Sequence, residues 1–496
     1  MSAADVSHDP RTGTVAATVR HSTPAEVDAA VAAAVAAAPS LAAASPARRR
    51  EWISAVADAI LAHRDELVRL ADWETALGET RLSGEVERTA GQLRFYADVA
   101  VEGSFLGATL DSTEPALAKV NVPLGPVAVF GASNFPFAFS ALGNDTASAL
   151  AAGSPVVVKG HPAHPGLTAR IVEIAQRAWA AAGGPDGALG LVVGFEAGTA
   201  LVQHADITAV GFTGSQAGGL ALWRLANERE VVIPVYAEMG TVNPVVVTPA
   251  AGADIVAIAA GFVGSFTLGG GQFCTKPGLL LAPASVEAAR AVGDALVAAD
   301  PTPVMLTEGI ATAVDAGIAG LVEAGATVVA SVPSTGAGWS APATVLSAKA
   351  ADLTAGSRLL EEVFGSVVLV VEYESVAEAT EILAGLQGAL SGAVFATGAD
   401  PDAKPLVDAV ATKVGRVILN GWPTGVAYTW AQQHGGPWPA TSNPAATSVG
   451  AGALGRFVRP VAYQSMPDAL LPEPLQAANP WGVTRWVDGV VEPGLS

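Results

Sequence analysis

Apolar positions follow two different periods along this chain. From Thr23 to about Val99 they recur at helical spacing. Thr23-Pro24-Ala25-Glu26 carries a Thr cap, Pro at the first helical position and Glu three residues past the cap, and it predicts a helix to about Ala38. Trp52, Ile53, Val56, Ile60 and Leu61 repeat in three- and four-residue steps, which predicts helix from Pro46 to about Ala76, and a third helix spans Ser83 to Val99. Phe105 to Val122 loses this period and reads as extended strands.

From Val127 the pattern becomes short apolar runs between helical stretches. Val127 to Phe130, Pro155 to Val158, Leu191 to Val193 and Ile207 to Phe212 are the runs; Asp145 to Ala152, Leu167 to Ala182 and Ala197 to Gln203 are the helices. Such alternation predicts βαβ units and a mostly parallel sheet, with ligands beyond the carboxyl ends of the strands. Lys159 and Thr213-Gly214-Ser215 stand at such ends. The alternation continues after Ile233 in a second lobe, with strands expected at Val367 to Val371, Ala393 to Phe395 and Val417 to Leu419. After about His434 the chain is rich in Pro, Gly and Ser.

Composition narrows the class. At 496 residues, 51% hydrophobic and 15% charged, the chain has the apolar content for more than one core. Its formal net charge of -20 argues against nucleic acid or an anionic membrane as partner, and leaves room for a local basic pocket around a small anion. Two stretches tempt a membrane assignment. Ala29 to Ala44 follows acidic residues and no basic segment; Ile255 to Thr275 is broken by glycines and is read as a buried helix running into a Gly loop. The expected location is the cytoplasm. The single cysteine, Cys274, cannot form an internal disulfide and is either a small buried hydrophobe or a nucleophile.

Three segments pair glycines with a reactive group. Gly269-Gly-Gly-Gln272-Phe-Cys274-Thr275 lets backbone approach a substrate beside a thiol. Glu238-Met239-Gly240 places a carboxylate at a strand end, as a general base requires. Gly131-Ala-Ser-Asn134-Phe-Pro136 offers an amide that can donate to an oxyanion. Two other patterns are weaker. Gly450-Ala-Gly452-Ala-Leu-Gly455 formally fits a dinucleotide loop but follows no strand, so a C-terminal turn is expected. His161 and His164 have metal-like spacing, but Pro162 and Pro165 break any helix there, so a loop near a cofactor is expected and no metal.

Taken in order, these motifs resemble the aldehyde dehydrogenase superfamily. Asn134-Phe135-Pro136, Lys159 after Val-Val-Val, Gly211-Phe-Thr-Gly214-Ser215 with Gly219, Glu238-Met-Gly240 with Asn243-Pro244, Gly271-Gln272-Phe-Cys274 and Glu362-Val-Phe364-Gly365 all have counterparts there. His161-Pro-Ala-His164-Pro165, Asn420-Gly-Trp422-Pro423, His434-Gly-Gly-Pro437 and Arg459-Pro-Val-Ala-Tyr463 are similar to one branch, the α-ketoglutarate semialdehyde and NADP-dependent fatty aldehyde dehydrogenases. Ser366 departs from the Pro usual after the Phe-Gly pair and implies a looser loop; Lys276 is often neutral elsewhere.

The resemblance implies an α/β fold with three parts. Residues 1–104 and 123–236 form a Rossmann-type cofactor lobe, 237–434 a catalytic lobe, and 105–122 with 435–496 a small β oligomerisation element in a homodimer or homotetramer. It implies Cys274 as nucleophile, Glu238 as base and Asn134 with the Cys274 N–H as oxyanion donors. Lys159, His161, Pro162, Gly214, Ser215, Gly219, Glu362 and Phe364 are the expected cofactor residues. Pro162, where NAD-preferring members carry Glu, tilts the expectation to NADP with NAD also used, while Glu196 pulls toward NAD. The expected substrate is α-ketoglutarate semialdehyde, with Arg94 as its anchor and Phe135, Phe139, Phe273 and Trp422 lining the tunnel. A fatty aldehyde is the alternative. A CoA-acylating relative or an inactive binding protein remains open, against Glu238 and the intact trio.

Overall fold

Five parallel strands build the first sheet in the computed structural model, which describes residues 3–354 and 356–494. Their spatial order is Leu189–Val192, Val156–Lys159, Val127–Phe130, Ala209–Gly214, Val235–Met239. The chain leaves Val127–Phe130 in one direction for two strands and then returns to its other side. That reversal opens a crevice at the carboxyl ends of Val127–Phe130 and Ala209–Gly214, where doubly wound sheets bind ligands. The strands are buried runs rather than alternating ones, as a sheet covered on both faces requires. Helices Pro46–Ala62, Glu79–Glu102 and Pro165–Ala181 pack one face through Ile53, Leu93, Tyr96 and Ile171; helix Pro24–Ala43 packs the other through Val27 and Val31.

A second sheet has seven strands, six of them parallel, in the order Thr327–Val332, Ala343–Lys349, Val367–Tyr373, Pro277–Pro283, Asn243–Val247, Ala389–Phe395, Val414–Leu419. Helix Ile255–Thr267 lays Ile258, Phe262 and Phe266 on this sheet, which accounts for the apolar run near it. Helix Pro24–Ala43, the other stretch apolar and long enough to span a membrane, buries one stripe against the first lobe.

A third sheet joins Leu117–Pro123 and Thr109–Asp111 to Val458–Gln464, Arg485–Val487 and Val490–Glu492. Segments more than three hundred residues apart thus share one small element. Residues 451–457, the end of the formal dinucleotide pattern, form a 3-10 helix whose Arg456 pairs with Asp145 at 2.7 Å. This stretch buttresses helix Asn144–Ala152 through Arg456, which donates to Asp145 and Ser148.

Candidate active site

The loop carrying Cys274 hangs from the end of helix Ile255–Thr267. Gly269, Gly270 and Gly271 have φ of 58°, 70° and 72°, a left-handed run that costs other residues about 1–2 kcal/mol each. A side chain at Gly271 would also collide with the backbone of Gly365. The residues that follow are fastened at every step. Gln272 donates through Nε2 to Gly269 O and Val304 O, both at 3.2 Å, and accepts from Leu306 N at 2.9 Å. Asn243 donates to the Cys274 and Lys276 carbonyls, each at 2.9 Å. The half-buried sulfur is left as the free end of a rigid support.

Glu238 approaches from the end of Val235–Met239, buried at 3% exposure. The tail brings His434 and Ser448 over it. His434 Nε2 lies 2.7 Å from Glu238 Oε1 and 3.8 Å from Cys274 Sγ, and Ser448 Oγ donates to Glu238 Oε2. The ring nitrogen is aligned toward the sulfur; toward Oε1 it is a close contact only, and Oε1 has no aligned donor among the described residues. Thiol, imidazole and carboxylate atoms lie within 4.8 Å of one another, a spacing that a metal ion could also occupy. Burial, then the carboxylates of Glu238 and Glu362, push the Cys274 thiol well above its ordinary range; the Thr275 N–H and Arg416 pull against this. A thiol held up in this way calls for a base within reach, and His434 and Glu238 both stand within 4.8 Å of the sulfur.

Asn134 Nδ2 donates to Gln272 O at 2.8 Å, which fixes the amide against the loop that carries Cys274, with its second N–H uncommitted among the described residues. Phe135, Phe139 and Phe273 form an aromatic wall next to it, with ring centroids 5.2 Å apart for Phe135–Phe139 and 5.1 Å for Phe135–Phe273. Two expected tunnel residues lie elsewhere. Trp422 packs between Phe395 and Phe262, at 4.6 and 5.9 Å, in the core of the second lobe. Arg94 is half exposed and pairs with Asp58 on the neighbouring helix. The arginines that do face the wall are Arg81, 5.0 Å from both Phe135 and Phe273, and Arg88, 5.7 Å from Phe139.

The crevice of the first sheet meets this site. Ser215 caps helix Gln216–Asn227, accepting from Gly218 N at 3.2 Å, and the helix's free N–H groups and positive end suit a phosphate. Gly219 lets that helix close on the sheet; a side chain there would strike Met239 Sδ. Lys159 ends its strand without an ion pair among the described residues, its side chain lying along Gly198. His161 stacks on the buried His164 at 5.5 Å, and Pro162 is exposed. Glu196 is exposed in the first turn of helix Phe195–Gln203, beside Gly198. Glu362 lies directly over Gly240, where a side chain would collide with its carboxylate, and its Oε1 is buried without a partner. A buried acceptor and an anion-binding helix end fit a dinucleotide with ribose hydroxyls and phosphates.

Lys276 links the two halves. Its buried ammonium donates to Val363 O at 2.9 Å and Val367 O at 2.8 Å, holding the loop that carries Glu362 and Phe364. Ser366, in the place of the missing proline, is fully buried there and its Oγ has no hydrogen-bond partner among the described residues, so the hold on this loop comes from Lys276.

The aldehyde dehydrogenase family model matches residues 3–437. The chain belongs to the aldehyde dehydrogenase family. It is an NAD(P)-dependent enzyme that oxidises aldehydes. Among curated relatives, the chain is 46% identical to α-ketoglutaric semialdehyde dehydrogenase 2 of Azospirillum brasilense, over 90% of this chain and 88% of that one. It is 40% identical to the α-ketoglutaric semialdehyde dehydrogenase of Acinetobacter baylyi, over 90% and 87%. In fold this aldehyde dehydrogenase is similar to PnpE from Pseudomonas sp. WBC-3, with a TM-score of 0.80 at 24% identity over 93% and 94% of the chains. It is also similar to apo betaine aldehyde dehydrogenase from Staphylococcus aureus, with 0.81 at 22% over 94% and 93%.

His434, Ser448, Lys276 and the arginine pair were not assigned roles from the sequence. For Arg81 and Arg88 a signal existed: with Glu85 they are spaced at i, i+4 and i+7, one face of a helix.

Proposed function

We propose that this enzyme oxidises α-ketoglutarate semialdehyde to α-ketoglutarate. The observation that carries the substrate is the 46% and 40% identity, over nine-tenths of the chain, to two enzymes named for that reaction. The arginines near the site fit an acid: Arg88 and Arg416 bear on the thiol and Arg81 lies over Phe135 and Phe273, in a protein whose net charge is -20. The phenylalanine wall would serve a fatty aldehyde as well, and that is the reading to be tested against.

The residues divide the work as follows. His434, backed by Glu238, takes the proton from Cys274, whose sulfur adds to the aldehyde carbon. The oxyanion is held by the free N–H of Asn134 and the backbone N–H of Cys274. Bound NAD(P) supplies the hydride acceptor, held through Lys159, the capped helix after Ser215, and Glu362. The acyl group is then a thioester on Cys274, and Glu238 draws a proton from the water that hydrolyses it. Water rather than CoA takes the acyl group because a buried carboxylate stands beside the sulfur.

Cofactor choice and assembly are part of the same proposal. Exposed Pro162 puts no carboxylate at its own position to repel a 2′-phosphate, which favours NADP; Asp5, which bears on Lys159, and Glu196 keep NAD in use. The five-stranded sheet of the third element is the assembly surface of a cytoplasmic homodimer or homotetramer. The substrate test compares kcat/KM for α-ketoglutarate semialdehyde, succinate semialdehyde and hexanal. The oxo-acid should exceed hexanal by about tenfold or more, the worth of one charge-assisted hydrogen bond. A preference for hexanal would remove the substrate assignment and leave aldehyde oxidation standing.

A further inference from the structure

Helix Glu79–Glu102 turns an unusual face inward. Arg81, Glu85, Arg88 and Gln92 fall at i, i+4, i+7 and i+11, so all four point to the side that packs on the active-site loop. Three of them have partners there. Arg81 donates to Asn134 O at 2.6 Å, Glu85 Oε1 accepts from Phe137 N at 2.9 Å and Ala138 N at 3.0 Å, and Gln92 donates to Asn144 Oδ1 at 2.8 Å.

Arg88 does not. Its Nε and Nη2 are buried with no hydrogen-bond partner, and it makes no ion pair among the described residues. The guanidinium carbon lies over two rings, 5.7 Å from the centroid of Phe139 and 5.6 Å from that of Tyr428. Phe139 in turn packs 6.3 Å from the His434 ring, whose Nε2 is 3.8 Å from Cys274 Sγ. The unpaired cation is therefore one aromatic ring away from the catalytic trio. Leaving two buried N–H groups of a charged side chain unmatched is costly, and a planar fork of this kind matches a carboxylate with two parallel hydrogen bonds. Glu85 on the same face, Tyr428, Tyr96 and Cys274 are the other titratable groups that bear on it; none makes an ion pair with it among the described residues.

We propose that Arg88 is the anchor for the carboxylate at the far end of an oxo-acid aldehyde, and so the residue that sets specificity for acids over alkyl aldehydes. This rests on the substrate reading above and assigns it an atom. Arg94 cannot take the role, because six residues further along it lies about 120° round the helix, on the face that meets Asp58. Phe139 and Tyr428 flank the guanidinium, and the substrate's carbonyl end is left to reach Cys274.

Two measurements on the holoenzyme test the proposal, using Arg88→Gln and, as the charge-retaining control, Arg88→Lys. The first is the ratio of kcat/KM for α-ketoglutarate semialdehyde to that for hexanal. It should fall about tenfold or more in Arg88→Gln, chiefly through KM for the acid, and less in Arg88→Lys. Turnover of hexanal by each variant shows that it folds. The second is protection of Cys274 from iodoacetamide by α-ketoglutarate, which should be present in the wild type and lost in Arg88→Gln. A wild type that prefers hexanal yet is protected by α-ketoglutarate through Arg88 overturns the substrate reading and keeps the anchor. A wild type that prefers the acid, with ratio and protection unchanged in Arg88→Gln, overturns the anchor alone.

Discussion

Replacing Lys276 by Met should both loosen the enzyme and change how its cofactor grip responds to pH. The ammonium is 1% exposed and fills two carbonyl acceptors, Val363 O and Val367 O. Met keeps the length and the apolar stem but leaves those carbonyls unmatched, at about 1–3 kcal/mol each. Against that, the variant no longer buries a charge, so the net loss should be about 2 kcal/mol, below the sum for two acceptors. The pH effect follows from Glu362. Burial raises its carboxyl above the ordinary range, and the positive charge of Lys276 opposes the rise. A carboxyl raised in the folded state stabilises below its unfolded value, and that stability is lost as pH climbs through the folded value. Without Lys276 the folded value climbs further, so ionising Glu362 costs more. The mid-point of cofactor KM against pH should therefore move to higher pH in Lys276→Met. Thermal unfolding and cofactor KM from pH 6 to 9 are the assays. An unchanged unfolding temperature together with an unshifted pH profile would refute the claim that Lys276 ties the nucleophile loop to the cofactor loop.

Two further outcomes follow from the trio. Glu238→Gln should slow thioester hydrolysis more than acylation, so rapid mixing should give a burst of NAD(P)H and then a slow steady state; equal loss of both phases would assign Glu238 to thiol activation alone. Because the thiol is held above its ordinary range, iodoacetamide inactivation of the cofactor-free enzyme should still be accelerating with pH at pH 9, and a plateau below pH 8 would contradict the burial described.

Much of the scaffold was legible because periodicity reports burial. The run Val127 to Phe130 coincides with the observed strand, and Pro155 to Val158 lies one residue from Val156–Lys159. Buried parallel strands are short unbroken apolar runs, which is the signal that marked them here. The expected helix from Pro46 to about Ala76 is two, Pro46–Ala62 and Arg64–Thr75, because the chain turns at His63 with no Gly or Pro to mark the break. The hairpin of Ala4–His8 and Val15–Arg20 was missed, since its strands are half exposed and carry no apolar run. The chemistry divides in the same way. Cys274, Glu238 and Asn134 sit in local glycine-bearing motifs, and the structure brings them together. His434 and Ser448 reach Glu238 across about two hundred residues, a juxtaposition no local pattern records. Trp422 shows the converse: an aromatic in a family-like motif that the fold spends on a core, against Phe262 and Phe395.

The central claim is that aldehyde oxidation runs through a covalent adduct on Cys274. The most direct measurement is NAD(P)H formation by Cys274→Ser with α-ketoglutarate semialdehyde and water as the acyl acceptor, alongside cofactor binding by the same variant. Oxygen in place of sulfur is a weaker nucleophile and a poorer leaving group, so turnover should fall by about three powers of ten or more while the cofactor still binds. Turnover by Cys274→Ser within about tenfold of the wild type would contradict the account, for that is less than removal of an unshared nucleophile costs.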